Sequence, residues 1–166
     1  MSFVFSQTRE FEAANEKYSV TFSKGDLALP PARKVVVVAC MDARLDPAKA
    51  LGLEEGDAHV IRNAGGRAVD AIRSLVISQQ LLGTREIVLV HHTDCGMLTF
   101  SDDSLRQKIR TELGHDADHI AFLPFKDLKA SVVDDIKVLQ QHPLLLDVPI
   151  TGYIYHVETG KITKVQ

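Results

Sequence analysis

Lys34-Val35-Val36-Val37-Val38-Ala39-Cys40-Met41-Asp42-Ala43-Arg44 is the stretch from which the fold is read. Four consecutive β-branched residues and an alanine show no polar alternation. Such a run suits a strand buried on both faces of a parallel sheet. Leu29-Pro30-Pro31-Ala32 breaks structure just before it. The residues just beyond it are a thiol, a carboxylate and a guanidinium. In open parallel sheets, ligands sit beyond the carboxyl ends of the strands. The end of this strand is therefore the first place to look for chemistry.

Working outward, Asp46-Pro47 opens a helix, with Asp46 as N-cap and Pro47 at the first helical position. Ala58 to Arg62 reads as a second strand and Asn63-Ala64-Gly65-Gly66 as a turn. Asp70 to Leu82 reads as a helix with Ile72, Leu75, Val76 and Gln79 on one face, stopped by Gly83. Glu86 to Val90 is a third strand. Asp102 or Asp103 caps a helix carrying Leu105, Ile109 and Leu113, which Gly114 ends. Lys126 to Gln141 repeats Leu128, Val132, Ile136 and Leu139 at a helical period, a stripe read as core packing. Ile150 to Val157 has strand composition, and Glu158-Thr159-Gly160-Lys161 turns into a last short strand. Upstream, Arg9 to Tyr18 forms a short helix with little apolar surface of its own, to be packed on something else. Strands alternating with helices predict an α/β fold with a mainly parallel central β-sheet flanked by helices. No repeat or linker divides residues 1–166, so one domain is expected.

Composition agrees. A chain of 166 residues with 45% apolar and 25% charged residues is ordinary for one globular domain. No apolar run approaches the roughly 20 residues of a membrane span. The opening MSFVFSQTRE lacks the pattern of a secretory signal. A balance of 19 basic against 22 acidic residues does not suggest a nucleic-acid surface. Two cysteines make no disulfide framework, and with no signal peptide a cytoplasmic, reducing setting is expected.

Both cysteines lie just past strands. Cys40 follows the first, and the third runs into Val90-His91-His92-Thr93-Asp94-Cys95-Gly96. If these strands are neighbours, Cys40, His92 and Cys95 converge. Thiolate and imidazole are preferred zinc ligands, and a Cys₂His set leaves the fourth tetrahedral position open, as catalytic sites do. Asp42 is close enough to fill that position or to hydrogen-bond a water there. Arg44 is placed to pair with Asp42 through its planar fork. Taken singly, each residue has a plainer explanation: buried core thiols, a weak H-x-x-C pattern, a surface ion pair. Their combination is what points to a metal centre.

The ordered set Cys40-x-Asp42-x-Arg44, Arg62-Asn63-Ala64-Gly65 and His92-x-x-Cys95-Gly96 resembles the β-class carbonic anhydrases. More narrowly it resembles their short microbial subgroup, often called class D. The match is densest from Val35 to Thr99. The resemblance implies one Zn²⁺ per chain on Cys40, His92 and Cys95. It implies that Asp42 either ligates zinc in a closed state or turns to Arg44 in an open one, and that the Arg62–Gly66 loop lines the pocket. It also implies a homodimer or an assembly of dimers, with residues 1–30 as an arm whose helix embraces the partner. The Gln and aromatic pocket residues of larger plant-type members have no counterpart here. His91 stands where many members have Gly.

The expected reaction is hydration of CO₂ to bicarbonate at a zinc-activated water, with activity rising with pH. The alternative is carbonyl sulfide hydrolysis to H₂S and CO₂, for which the short subgroup also has relatives; carbon disulfide hydrolysis is a more distant one. The ligands do not separate these substrates. The walls do, and Met41, Ala64 and Gly66 are the expected wall residues, with side chains of the partner. A non-catalytic zinc protein is the third reading, against which Arg44 argues. His59, His91, His115 and His119 are either proton shuttles or supporting histidines. Asp94 orients a ligand or stabilises a turn. Arg62 steers an anionic product or pairs at an interface.

Overall fold

Val35–Cys40 forms the central strand β1, buried along its whole length in the computed structural model, which describes residues 7–165. The other elements are α1 (Thr8–Thr21), α2 (Pro47–Leu51), β2 (Ala58–Asn63), α3 (Ala68–Gln80), β3 (Glu86–His92), α4 (Asp102–Leu113), α5 (Leu128–Gln141), β4 (Ile150–Tyr155) and β5 (Ile162–Val165). Single tight helical turns at Ala64–Gly66 and Gly96–Leu98 follow β2 and β3. The sheet runs β2-β1-β3-β4-β5; the first four strands are parallel and β5 is antiparallel. The α/β architecture with a mainly parallel sheet is as the sequence implies.

One sheet face is covered by helices. Val36, Val38, Ile87 and Leu89 pack against Ala68, Ala71 and Leu75 of α3 and Leu139 of α5, all essentially buried. Burying each such aliphatic side chain contributes about 1.5–3 kcal/mol. A second cluster holds Val37, Ala39, Cys40, Leu45, Val90, Cys95, Met97 and Phe125. Both thiols thus belong to the core that holds the sheet's carboxyl end.

Several element boundaries differ from expectation, and hydrogen bonds account for them. Helix α3 starts at Ala68, two residues before Asp70, because the buried Asp135 carboxylate of α5 accepts the Ala68 N–H (2.9 Å). Helix α4 is capped by Ser101 in a reciprocal box with Ser104, not by Asp102 or Asp103. Asp102 instead accepts from the Phe122 N–H, 20 residues on. Helix α5 starts at Leu128, not Lys126, with the Asp127 side chain accepting from the Ala130 N–H. Strand β4 ends at Tyr155, short of Val157, because His156 closes the turn by bonding Lys161 and Gly160. Helix α1 extends one residue before and three residues beyond the expected Arg9–Tyr18, and it buries no residue. Residues 1–6 of the expected arm lie outside the described residues.

Candidate active site

Because β1 and β3 are paired in parallel, with Ala39 opposite Val90, their carboxyl ends lie side by side. That places the Cys40 and Cys95 sulfurs and a His92 ring nitrogen within 4.8 Å of one another, all buried. His92 Nδ1 lies 2.8 Å from the Thr93 carbonyl, an acceptor, so Nδ1 carries the proton. Nε2 keeps its lone pair, and it is buried with no hydrogen-bond partner. An orphaned buried nitrogen is costly unless something fills its place. A cation between two thiols and this nitrogen does so, and the donor set is one that zinc prefers. The residues therefore fit zinc.

Protonation follows from the crowding. The two thiols hydrogen-bond each other, which stabilises the Cys40 thiolate and pushes the Cys95 thiol up. Burial alone would make His92 harder to protonate, but the Cys40 sulfur, the Thr93 carbonyl and the Asp42 charge together outweigh it and raise its pKa. Cys40 and Cys95 as thiolates and His92 as a neutral imidazole would hold a divalent cation, which would remove the conflict.

Asp42 sits beside the ligands, its Oδ2 3.7 Å from His92 Nε2. Arg44 holds that carboxylate from three donors: Nε to Oδ1 (3.0 Å), Nη2 to Oδ2 (2.8 Å) and its backbone N–H to Oδ1 (2.8 Å). The guanidinium, followed by that backbone bond, keeps the Asp42 carboxyl far below the usual carboxylate range. Arg44 is gripped on its other side by Asp94, from Nη1 to Oδ2 (2.7 Å) and from Nη2 to the Asp94 carbonyl (3.0 Å).

A cavity of about 170 Å³ opens onto this cluster, lined by the three ligands with Met41, Asp42, Ala64, Gly65, Gly96 and Met97. Met41, and Ala64 and Gly65 of the expected pocket loop, stand in its wall. Arg62, Asn63 and Gly66 do not. Arg62 donates to the carbonyls of Cys40 (3.0 Å), Asp42 (2.7 Å) and Leu45 (2.8 Å), tying down the loop that carries Asp42 and Arg44. Three backbone carbonyls thus engage this guanidinium through its Nε and Nη2 atoms. The Asn63 amide brackets the Arg67 backbone through both its N–H and its oxygen. Gly66 has φ +67°, and a Cβ there would lie 2.9 Å from the Cys40 nitrogen.

Of the four histidines named as shuttles or supporting groups, His91 is fully buried, bonded to Ser131 Oγ (2.8 Å) and stacked on Phe125. His59 bonds Ser78 Oγ at 2.8 Å. His115 and His119 are exposed beyond α4. Asp94 does not orient His92, whose partner is the Thr93 carbonyl; its carboxylate goes to Arg44. Sequence reasoning missed Met97 in the wall and Asp135 behind the site. Asp135 is fully buried and takes hydrogen bonds from Arg67 Nη2 (2.9 Å) and Ala68 N–H. An acid between Val132 and Ile136, on the apolar side of α5, was the signal that could have found it.

Comparison with known proteins bears on the same residues. The carbonic anhydrase family profile matches residues 35–162. The chain is 44% identical to β-carbonic anhydrase 1 of Mycobacterium tuberculosis, over 95% of this chain and 97% of that one. It is 35% identical to carbon disulfide hydrolase of Saccharolobus solfataricus, over 90% of this chain and 84% of that one. Among solved structures, carbonic anhydrase from Streptococcus mutans superposes with a TM-score of 0.93 at 47% identity, covering 99% of this chain and 100% of that one. On its buried Cys₂His cluster, its parallel sheet and these likenesses, the chain belongs to the β-class carbonic anhydrase family of lyases.

Proposed function

We propose that this chain hydrates CO₂ to bicarbonate with one zinc ion held by Cys40, His92 and Cys95. The observation that carries the reading is the convergence of those three ligands beside an Asp42 carboxylate that Arg44 holds to one side. Zinc, when bound, supplies Lewis acidity that brings the ionisation of water towards neutrality. The chain supplies the rest. The Thr93 carbonyl fixes the His92 tautomer, so Nε2 is presented as a donor. Arg44 keeps Asp42 ionised, and an ionised Oδ atom can accept a hydrogen bond from the attacking water and so orient it. Met41, Ala64, Gly65 and Met97 offer a small, largely apolar wall suited to a linear, uncharged substrate.

Two thiolates put more negative charge on the metal than three imidazoles would, so ionisation of the water belongs to the alkaline side. Activity therefore rises from pH 6 to pH 9, as an Asp42-ligated form gives way to one with Asp42 on Arg44. Unchanged zinc coordination together with flat activity over that range would contradict this switch. The same site suits carbonyl sulfide hydrolysis as a second reading. The 35% identity to a carbon disulfide hydrolase favours keeping a sulfur-containing substrate in view. A purely structural zinc site is disfavoured, since it has no use for an arginine that holds a would-be ligand.

The test is a pair of assays on one zinc-quantified preparation, CO₂ hydration by stopped flow and H₂S release from carbonyl sulfide, at pH 7 and pH 8.5. A dominant CO₂ rate, lowered by about 10²-fold in Asp42→Ala or Arg44→Ala with zinc retained, is the expected outcome. A dominant carbonyl sulfide rate moves the function to the second reading. Stoichiometric zinc with neither activity refutes both. We further infer a homodimer in which the arm of residues 1–30 packs on the partner.

A further inference from the structure

We infer that Asp94 is a positioning residue that anchors Arg44 and thereby keeps Asp42 off the fourth coordination position of the metal; this rests on the zinc reading above. Three observations meet at Asp94. It has φ +53°, in the left-handed region that residues other than glycine seldom adopt. Its carboxylate and its own carbonyl both accept from the Arg44 guanidinium, at 2.7 Å and 3.0 Å. It sits between His92 and Cys95, so the loop that supplies two ligands also supplies the anchor.

The grip matters because Arg44 is a long side chain, half exposed, with rotamer entropy to lose on pairing. Two contacts to Asp94 fix the guanidinium before Asp42 arrives. Asp42 then gains its two hydrogen bonds from a preorganised partner, and turning to the metal forfeits them. A competing effect runs the other way, since the Asp94 charge partly neutralises Arg44 and weakens its pull on Asp42. The Asp94 side chain is 73% exposed, so water screens that charge, whereas the two-point geometry is not screened. Anchoring wins. A turn-forming role alone would account for the backbone but not for the carboxylate, because glycine suits φ +53° better than aspartate does.

The experiment uses full-length protein loaded with Co²⁺ in place of zinc and reads sodium azide binding from the visible spectrum. Azide takes an open coordination position and competes with Asp42 for it. In Asp94→Gly, which eases the backbone while removing the carboxylate, the azide Kd is expected to rise about tenfold, as the open fraction falls in proportion. Asp94→Asn, which keeps a neutral acceptor, falls between. Adding Asp42→Ala to Asp94→Gly restores azide affinity, because no carboxylate is left to close the site. CO₂ hydration by the zinc form of Asp94→Gly falls by about the same factor.

An unchanged or tighter azide Kd in Asp94→Gly overturns the inference and leaves Asp94 a turn residue. Failure of Asp42→Ala to restore binding also overturns it, since the loss would then come from damage to the ligand loop. Cobalt lost from both single variants does the same. Wild-type protein that binds azide yet turns over neither CO₂ nor carbonyl sulfide refutes the proposed function while leaving this inference standing.

Discussion

At His92 two influences oppose each other, and their balance sets how the site responds to acid. Burial resists a charge on the ring, while the Cys40 sulfur, the Thr93 carbonyl and the Asp42 charge favour one, and together they prevail. A raised pKa means that the proton is held to higher pH in the metal-free site. Proton competition with zinc therefore begins above the ordinary histidine range and strengthens as pH falls. Each displaced proton weakens metal affinity by about tenfold per pH unit below its pKa. Dialysis against a chelator at pH 5.5 is expected to strip zinc that survives the same treatment at pH 8; equal retention at both would refute this balance. Asp42 does not take part, because Arg44 keeps it ionised throughout that window. The convergence of Cys40, His92 and Cys95 was legible because each stands within a few positions of a buried strand end, where chain direction alone nearly fixes its place. Arg62 was not legible in the same way. Its role lies in three carbonyls of a loop about 20 residues away, and carbonyls leave no mark in a sequence.

Among the elements, helix α5 does more than its apolar stripe announces. Its Asp135 takes the Ala68 N–H at the start of α3, meets Arg67 and lies 3.4 Å from His91 Nε2 on β3. One carboxylate thus joins two helices and the strand that ends in His92. Burial by itself would raise its pKa, but His91, the Ala68 N–H and Arg67 together lower it. A depressed carboxyl contributes stability that is present above its unfolded pKa and is lost as pH falls through the folded one. Asp135→Ala leaves Arg67 partly buried and unpaired, and is expected to cost about 3–5 kcal/mol in urea unfolding at pH 7. The difference from wild type should shrink towards pH 3; a constant difference would deny the ionic role. The same helix presses on β4 at Gly152, where an added Cβ would strike Val132 and Ile136. Gly152→Ala is expected to cost about 1–3 kcal/mol by overpacking, measured the same way. The existence and order of the helices were legible from their periodicity. The start of α3 was not, because Asp135 acts on Ala68 across 67 residues.

For the molecule as a whole, the informative feature is an imbalance between the two sides of the sheet. Helices α3 and α5 cover one face, and parallel sheets ordinarily have both faces covered. On the other, a groove lined by Val35, Val37, Leu51, Leu53, Val88 and Tyr153 stays open within one chain. Helix α1 has the converse problem. Phe11, Tyr18 and Phe22 fall on one side of it at helical spacing, all exposed, and its ties to its own chain are polar ones such as Tyr18 to Glu55. An isolated helix of 14 residues is marginal in water without a surface to pack on. A groove without a cover and a helix without a floor are complementary if each copy of the chain supplies both. The arm-on-partner dimer proposed above meets both needs, and it explains why residues 1–30 read as under-packed from sequence alone. The expected result is a sedimentation mass of at least two chains. Phe11→Glu, which puts a charge on the apolar side of α1, should shift that mass towards one chain and lower the thermal midpoint, with the zinc ligands untouched. A wild-type mass of a single chain would refute the dimer. A mass and midpoint unmoved by Phe11→Glu would assign the association to another surface and leave α1 a free appendage.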